Sequence, residues 1–293
     1  SSAIQCFTNP GDRIMIQPPV YHPFDMIIRE NGRKTATNPL VLEGGRYRMD
    51  FDRMKEAIRG CSMFILCNPH NPGGRVWTPE ELLRVADICA ENGTLVISDE
   101  IHADLTLPGH RHTVFAAVSE KARMNSVTYM AASKAFNVPG LASSYLICQN
   151  PDLFARYQQF VNGRELAEGH VFAYEGVISA YSGPEGEEWL RQALEYIQGN
   201  IRFLDAELRR RMPKIKAIIP DASYLVFLDC RELGLSQKEL VDFFVDGAHL
   251  ALNDGAIFGK EGEGFMRLNA GCPRSVLKRA LNQLEKAYRK HGF

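Results

Sequence analysis

No apolar run in the sequence approaches the roughly 20 residues that a membrane-spanning helix needs. Neither sign of charge is in excess: 34 Lys and Arg stand against 35 Asp and Glu. That balance offers no electrostatic footprint for nucleic acid or for an anionic membrane surface. The seven cysteines are an odd number and no two have CxxC spacing. Free thiols of a cytosolic protein fit them better than a disulfide framework. Internal repeats, low-complexity tracts and long linkers are missing as well. At the N-terminus no basic stretch precedes an apolar segment, so Ser1–Phe7 does not read as a signal peptide. Ala3, Ile4 and Phe7 instead have the spacing of a helix that ends at Asn9-Pro10-Gly11. The expectation is a chain that starts inside a domain.

What is present is an ordinary globular composition, 45% hydrophobic and 24% charged over 293 residues. That is enough for one large domain and a smaller lobe. From Arg13 to about Ile147, short apolar strands alternate with helical patterns. The strand candidates are Arg13–Gln17, Met63–Cys67, Leu95–Ser98, Ser126–Met130 and Tyr145–Cys148. Between them, Thr78–Asn92 carries the clearest helix signal. Thr78 is a cap, Pro79 takes the first turn and Glu81 completes a capping box. Leu82, Val85, Ala86 and Cys89 follow at helical spacing, and Gly93 ends the run. Such alternation predicts an α/β fold with a mostly parallel sheet flanked by helices. After Pro151 helical patterns cover Pro151–Gly163, His170–Tyr181 and Glu185–Met212. A smaller α+β lobe follows, with strands at Tyr224–Leu228 and Gly264–Leu268 and helices at Ser236–Asp246 and Pro273–Lys290. The expected division is 1–184 for a large domain with its connecting helices and 185–293 for a small C-terminal domain.

Three segments follow strand ends, where open α/β sheets place ligands. They are Cys67-Asn68-Pro69-His70-Asn71-Pro72-Gly73-Gly74, Ser98-Asp99-Glu100-Ile101-His102 and Ala132-Ser133-Lys134-Ala135-Phe136-Asn137. Taken singly they read as a Pro/Gly turn, a helix-capping acid and a surface lysine. Jointly, Asn71, Asp99 and Lys134 stand on successive strand-end loops, at intervals of 28 and 35 residues. His110-Arg111-His112 could hold a metal as a His-x-His pair, but in a polar Pro/Gly loop it reads as solvated surface. No metal site is expected.

In these motifs the sequence resembles the fold-type I pyridoxal-5′-phosphate (PLP) enzymes, the superfamily of the class I and II aminotransferases. Its small lobe adds Phe265-Met266-Arg267-Leu268-Asn269 to the likeness, and Pro18-Pro19-Val20-Tyr21-His22-Pro23-Phe24 adds an aromatic. The resemblance implies a role for each residue. Lys134 would carry the cofactor as a Schiff base and, once displaced by substrate, take the Cα proton. Asp99 would keep the pyridine nitrogen protonated, because a carboxylate beside it raises its pKa. Asn71 and His102 would serve the ring's phenolate oxygen, Tyr21 would stack on the ring, and Ser133 would donate to the phosphate. Arg267 would grip the substrate α-carboxylate with its planar fork. The superfamily's main phosphate loop would fall before Ser1, and the position eight residues after Lys134 is Ala142 where aspartate aminotransferases place an Arg.

Within the superfamily the likeness is to the C–S lyase branch of MalY/PatB-like cystathionine β-lyases. It rests on residues 19–24, 68–74, 98–102, 133–137 and 267–274, with Glu188-Trp189-Leu190 and Asp254-Gly255-Ala256-Ile257-Phe258-Gly259 in agreement. It implies cleavage of the Cβ–S bond of cystathionine or another cysteine S-conjugate to a thiol, pyruvate and ammonia. A class I/II aminotransferase on the same scaffold is the alternative, because both reactions use the same electron sink. A binding or regulatory protein is a third reading, opposed by the intact Asn71, Asp99, Lys134 and Arg267. The resemblance also implies a cytoplasmic homodimer acting on a small amino-acid substrate.

Overall fold

The computed structural model describes residues 1–166 and 169–293. In chain order the first eight strands are β1 (Arg13–Ile16), β2 (Lys34–Thr37), β3 (Val41–Glu43), β4 (Arg46–Arg48), β5 (Cys61–Cys67), β6 (Leu95–Asp99), β7 (Ser126–Met130) and β8 (Tyr145–Ile147). Six of them form one sheet in the order β2-β1-β5-β6-β7-β8. Every pairing in it is parallel except that of β8 with β7. This is the α/β architecture that the strand–helix alternation predicts. β5 is apolar almost throughout and β6 opens with Leu95-Val96-Ile97, as parallel strands covered on both faces must be. Met15, Phe64, Leu66 and Val96 pack with Leu82, Val85 and Cys89 of the helix Pro79–Glu91. Ile14, Met63, Ile65 and Ile97 alternate onto the other face, with Phe24, Ile28 and Ile4.

The Pro79–Glu91 helix starts as its sequence dictates. Glu81 N donates to Thr78 Oγ1 at 3.2 Å, and Thr78 N donates to Glu81 Oε2 at 2.8 Å. Thr78→Ala is expected to lower stability by about 1 kcal/mol, the usual cost of a lost cap. Chemical denaturation of the two proteins checks it.

A second sheet is built from β9 (Lys216–Ile218), β10 (Leu225–Asp229), β11 (Asn253–Asp254) and β12 (Phe265–Asn269), antiparallel in the order β11-β12-β10-β9. Val226, Leu228, Met266 and Leu268 bury one of its faces against Leu204 and Leu208 of the helix Pro184–Arg211 and Leu277, Leu281 and Leu284 of Arg274–Lys290.

Several elements differ from expectation. β2 is a polar edge strand, Lys-Thr-Ala-Thr, which carries no apolar alternation to reveal it. The β3–β4 hairpin and the helices Pro23–Glu30 and Phe51–Ala57 are likewise additions to the expected set. The helix anticipated over 236–246 ends at Asp242 and widens into a π-turn at Phe243–Gly247, which seats Phe243 and Phe244 in the core.

Candidate active site

The parallel register sets Cys67, Asp99 and Tyr129 level with one another, so the loops after β5, β6 and β7 leave from one edge of the sheet. The Asn68–Gly74 loop is anchored from both sides. Asn68 N donates to Asp99 O at 2.9 Å, and the Cys67 thiol accepts from Asn71 N at 3.3 Å. Burial pushes that thiol up, so it stays protonated behind Asn71. Gly74 has φ +65°, and a β-carbon there would lie 2.2 Å from Pro220 Cβ, so only glycine fits. Its carbonyl accepts from Asp221 N at 2.8 Å and Ala222 N at 3.1 Å. The Asn71 loop is thereby locked to the connection between β9 and β10.

That closure brings together two residues 196 positions apart. Arg267 Nη1 donates to Asn71 Oδ1 at 3.0 Å, while Nη2 donates to Asn253 Oδ1 at 2.8 Å. Strand pairing of β11 with β12 sets Asn253 opposite Arg267. The guanidinium lies 4.7 Å from the Phe258 ring centre, an additional hold on its plane. Among the described residues no carboxylate pairs with Arg267, and burial lowers its pKa. A half-buried cation oriented by two neutral amides is a ready partner for a carboxylate.

Asp99 ends β6 and lines a cavity of about 690 Å³ with Met63, Ile65, Ile97, Tyr129 and Met130. The lining does not include Asn71, Lys134 or Arg267. Burial pushes the Asp99 carboxyl up to about 6; a hydrogen bond from Ile101 N opposes this, Glu100 adds to it, and the charge of Lys134 opposes it. Lys134 sits on the one-turn helix Ala132–Ala135, close enough that its charge acts on both Asp99 and His102. His102 is buried, and burial first, then Lys134 and Arg267, lower its pKa to about 4. It is therefore a neutral imidazole at physiological pH, able to donate or accept one hydrogen bond.

Tyr21 is half-buried, edge-on to Phe24 at 5.6 Å and near enough to Arg267 to act on its charge. Ser133 precedes Lys134 on the same turn, and its hydroxyl has no partner among the described residues. Asn71 is thus bonded to Arg267, the charges of Lys134 and Arg267 both act on His102 and that of Lys134 on Asp99, while Ser133 is placed only by adjacency.

The class I and II aminotransferase model matches residues 1–284. The chain belongs to that family. Over 289 residues it is 42% identical to the cystathionine β-lyase PatB of Bacillus subtilis (strain 168), with 98% of this chain and 74% of the relative covered. MalY of Escherichia coli (strain K12) is 32% identical, covering 99% of this chain and 74% of MalY. The solved structure of cystalysin from Treponema denticola, which contains PLP, superposes with a TM-score of 0.95 at 33% identity, over 99% of this chain and 73% of that one. The family match agrees with the fold and with the resemblance carried by the motifs.

The residues present fit the family's cofactor. A buried carboxylate pushed towards protonation, with one backbone donor at 3.2 Å, has acceptor capacity left for a protonated ring nitrogen. His102 and the Asn71 side-chain amide have N–H groups without protein acceptors among the described residues. No helix among the described residues is long and apolar enough to cross a membrane.

One residue at the site had no signal in the sequence: Asn253 follows the short apolar run Leu250-Ala251-Leu252, and only the pairing of β11 with β12 sets it opposite Arg267. The expectation that His110-Arg111-His112 is solvated surface is corrected for His112. Its side chain is 10% exposed, and its Nε2 is 2.6 Å from Glu100 Oε2, itself fully buried. His110 is half-exposed, with Nδ1 3.4 Å from Asp221 Oδ1. The loop folds inward because a buried carboxylate requires a partner.

Proposed function

We propose that the chain is a PLP-dependent carbon–sulfur β-lyase that cleaves cystathionine or a related cysteine S-conjugate to a thiol, pyruvate and ammonia. The observation that carries this reading is 42% identity over 289 residues to a cystathionine β-lyase, supported by Asp99 and Lys134 on neighbouring strand-end segments and by the bond between Asn71 and Arg267. When bound, PLP supplies an electron sink for the negative charge that develops at the substrate Cα. Lys134 Nζ would hold the cofactor and, once freed by substrate, serve as the base for the Cα proton. Asp99 would pair with the ring nitrogen, Asn71 Nδ2 and the neutral His102 would donate to the ring's oxygen, Tyr21 would pack against the ring, and Ser133 Oγ would donate to the phosphate. Arg267, oriented by Asn71 and Asn253, would receive the substrate α-carboxylate and fix its orientation.

Incubating the holoenzyme with cystathionine tests the proposal. Pyruvate and ammonia formed without a keto acid are the expected products. Turnover that requires a keto-acid acceptor would instead make the protein an aminotransferase.

Arg267→Lys replaces a planar fork by a point charge and loses one of two parallel bonds. KM for cystathionine is expected to rise roughly ten- to a hundredfold, the worth of a hydrogen bond to a charged group, and kcat to fall as the Cα–H bond loses its fixed angle. An amine analogue without the carboxylate should be little affected. Equal losses on both compounds would assign Arg267 to structure alone.

The same reading includes a cytoplasmic homodimer. The helix Val171–Tyr181 exposes Val171, Phe172, Tyr174, Ile178 and Tyr181, an apolar surface that a second copy would cover. It also places the domain division at 184/185, where the helix Pro184–Arg211 begins, between the part that would hold the cofactor and the part that carries Arg267.

A further inference from the structure

The segment Pro108–Phe115 makes three inward bonds to the site's framework. Thr113 O accepts from Asn68 Nδ2 at 3.0 Å, at the root of the loop that carries Asn71. His112 Nε2 meets Glu100 Oε2 at 2.6 Å, and Phe115 N donates to Glu100 Oε1 at 3.0 Å. Ser98 Oγ gives Glu100 Oε1 a further bond at 2.8 Å. Glu100 is wholly buried, and both of its oxygens are engaged by donors. Strand alternation turns Ser98 and Glu100 to one side of β6 and Asp99 to the other, where Asp99 lines the cavity.

A solvated loop needs none of this. An isolated buried carboxyl group is costly, and the His112 imidazole is the side chain that meets Glu100 Oε2, while Ser98 and Phe115 serve Oε1. Removing the imidazole would leave the Oε2 side of Glu100 without its donor. The backbone of residues 99–101 would then have to shift to find another. That backbone sets the direction of the Asp99 carboxylate, which Ile101 N also holds.

We propose that His112 is a positioning residue for Asp99: by gripping Glu100 it fixes the end of β6 and, through Thr113, ties that end to the Asn71 loop. The inference rests on the reading of Asp99 as partner of the cofactor's ring nitrogen. His112 does not touch substrate or cofactor. It acts as outer partners of ligating groups do elsewhere, by fixing the orientation of the group that does the work.

The test compares His112→Asn, whose amide is too short to reach Glu100, with His112→Gln, whose amide can. Each is purified as holoenzyme, stripped of coenzyme and titrated with PLP, and amide hydrogen exchange at residues 99–101 is followed in the stripped protein. His112→Asn is expected to raise the Kd for PLP about tenfold, to lower kcat with KM little changed, and to speed exchange at residues 99–101. His112→Gln is expected to restore most of each. Should His112→Asn not fold, Glu100→Gln, which keeps the shape and loses the charge, takes its place with the same expected direction. Wild-type Kd and exchange in whichever variant folds overturns the proposal. So does an Asn defect that His112→Gln does not repair. Asp99→Ala is titrated in parallel. If it leaves PLP affinity intact, the reading of Asp99 fails; if it weakens PLP and the His112 series does not, the positioning proposal alone falls.

Discussion

Lys134→Ala is expected to abolish the covalent link to PLP and to lower β-elimination by at least about four orders of magnitude. The variant loses two functions at one atom. The amine that anchors the cofactor is gone, and so is the base for the Cα proton, a function worth about a hundred- to ten-thousandfold by itself. The fold should survive, because Lys134 lies on a single short turn, and none of the described ion pairs or side-chain hydrogen bonds includes it. Borohydride reduction of the wild-type holoenzyme followed by peptide mapping gives the direct check. A pyridoxyl label on Lys121, whose Nζ is 2.7 Å from Asp87 on the surface, or on any other lysine would remove Lys134 from its role.

The second large effect has opposite signs on activity and on stability. Asp99→Asn cannot hold a proton on the pyridine nitrogen, so elimination is expected to fall by about two to four orders of magnitude while PLP still binds. Near wild-type turnover would exclude Asp99 from the chemistry. In the coenzyme-free protein the same variant should be the more stable one near neutral pH. Burial raises the Asp99 carboxyl from 3.8 to about 6, so the folded state holds the proton more tightly than the unfolded chain does. Ionisation therefore costs stability. The cost is absent below about pH 4, grows between about pH 4 and 6, and is constant above that. A rise of this size corresponds to about 3 kcal/mol at most. Replacing the carboxylate by an amide removes this cost, less whatever the Ile101 hydrogen bond loses. Urea denaturation of both stripped proteins at about pH 7.5 and about pH 4 checks it. A wild-type protein that is the more stable at the higher pH would mean that Asp99 is not strained by its burial. Bound PLP, by supplying the positive partner, should erase the wild type's disadvantage.

Much of this molecule was legible because its signals are local. The Pro79–Glu91 helix carries its own cap, first-turn proline and apolar stripe. β5 and the first three residues of β6 are apolar runs of the kind that strands buried on both faces carry. Asn71, Asp99 and Lys134 follow strand ends, and the parallel register of β5, β6 and β7 puts strand ends on one edge. The β3–β4 hairpin was not legible: Gly44-Gly45 separates Val41–Glu43 from Arg46–Arg48, but strands of three residues are too short to show an alternation.

The sequence by itself determined which residue types the site contains and that a mostly parallel α/β sheet would present three of them. Spacing along the chain and apolar periodicity are properties of neighbouring residues, and they need no tertiary contact to be read. Only the tertiary structure decided what holds those residues in place. Arg267 meets Asn71 across 196 positions and Asn253 across a strand pair, and Asp221 and Ala222 seal the Asn71 loop through a glycine that admits no side chain. His112 passed for solvated surface because nothing in a polar His-x-His loop reveals that a carboxylate twelve residues earlier will be buried. Burial is decided by what packs over a residue once the chain has folded. Whether Glu100 needs a partner, and which side chain supplies it, therefore has no signature in local sequence.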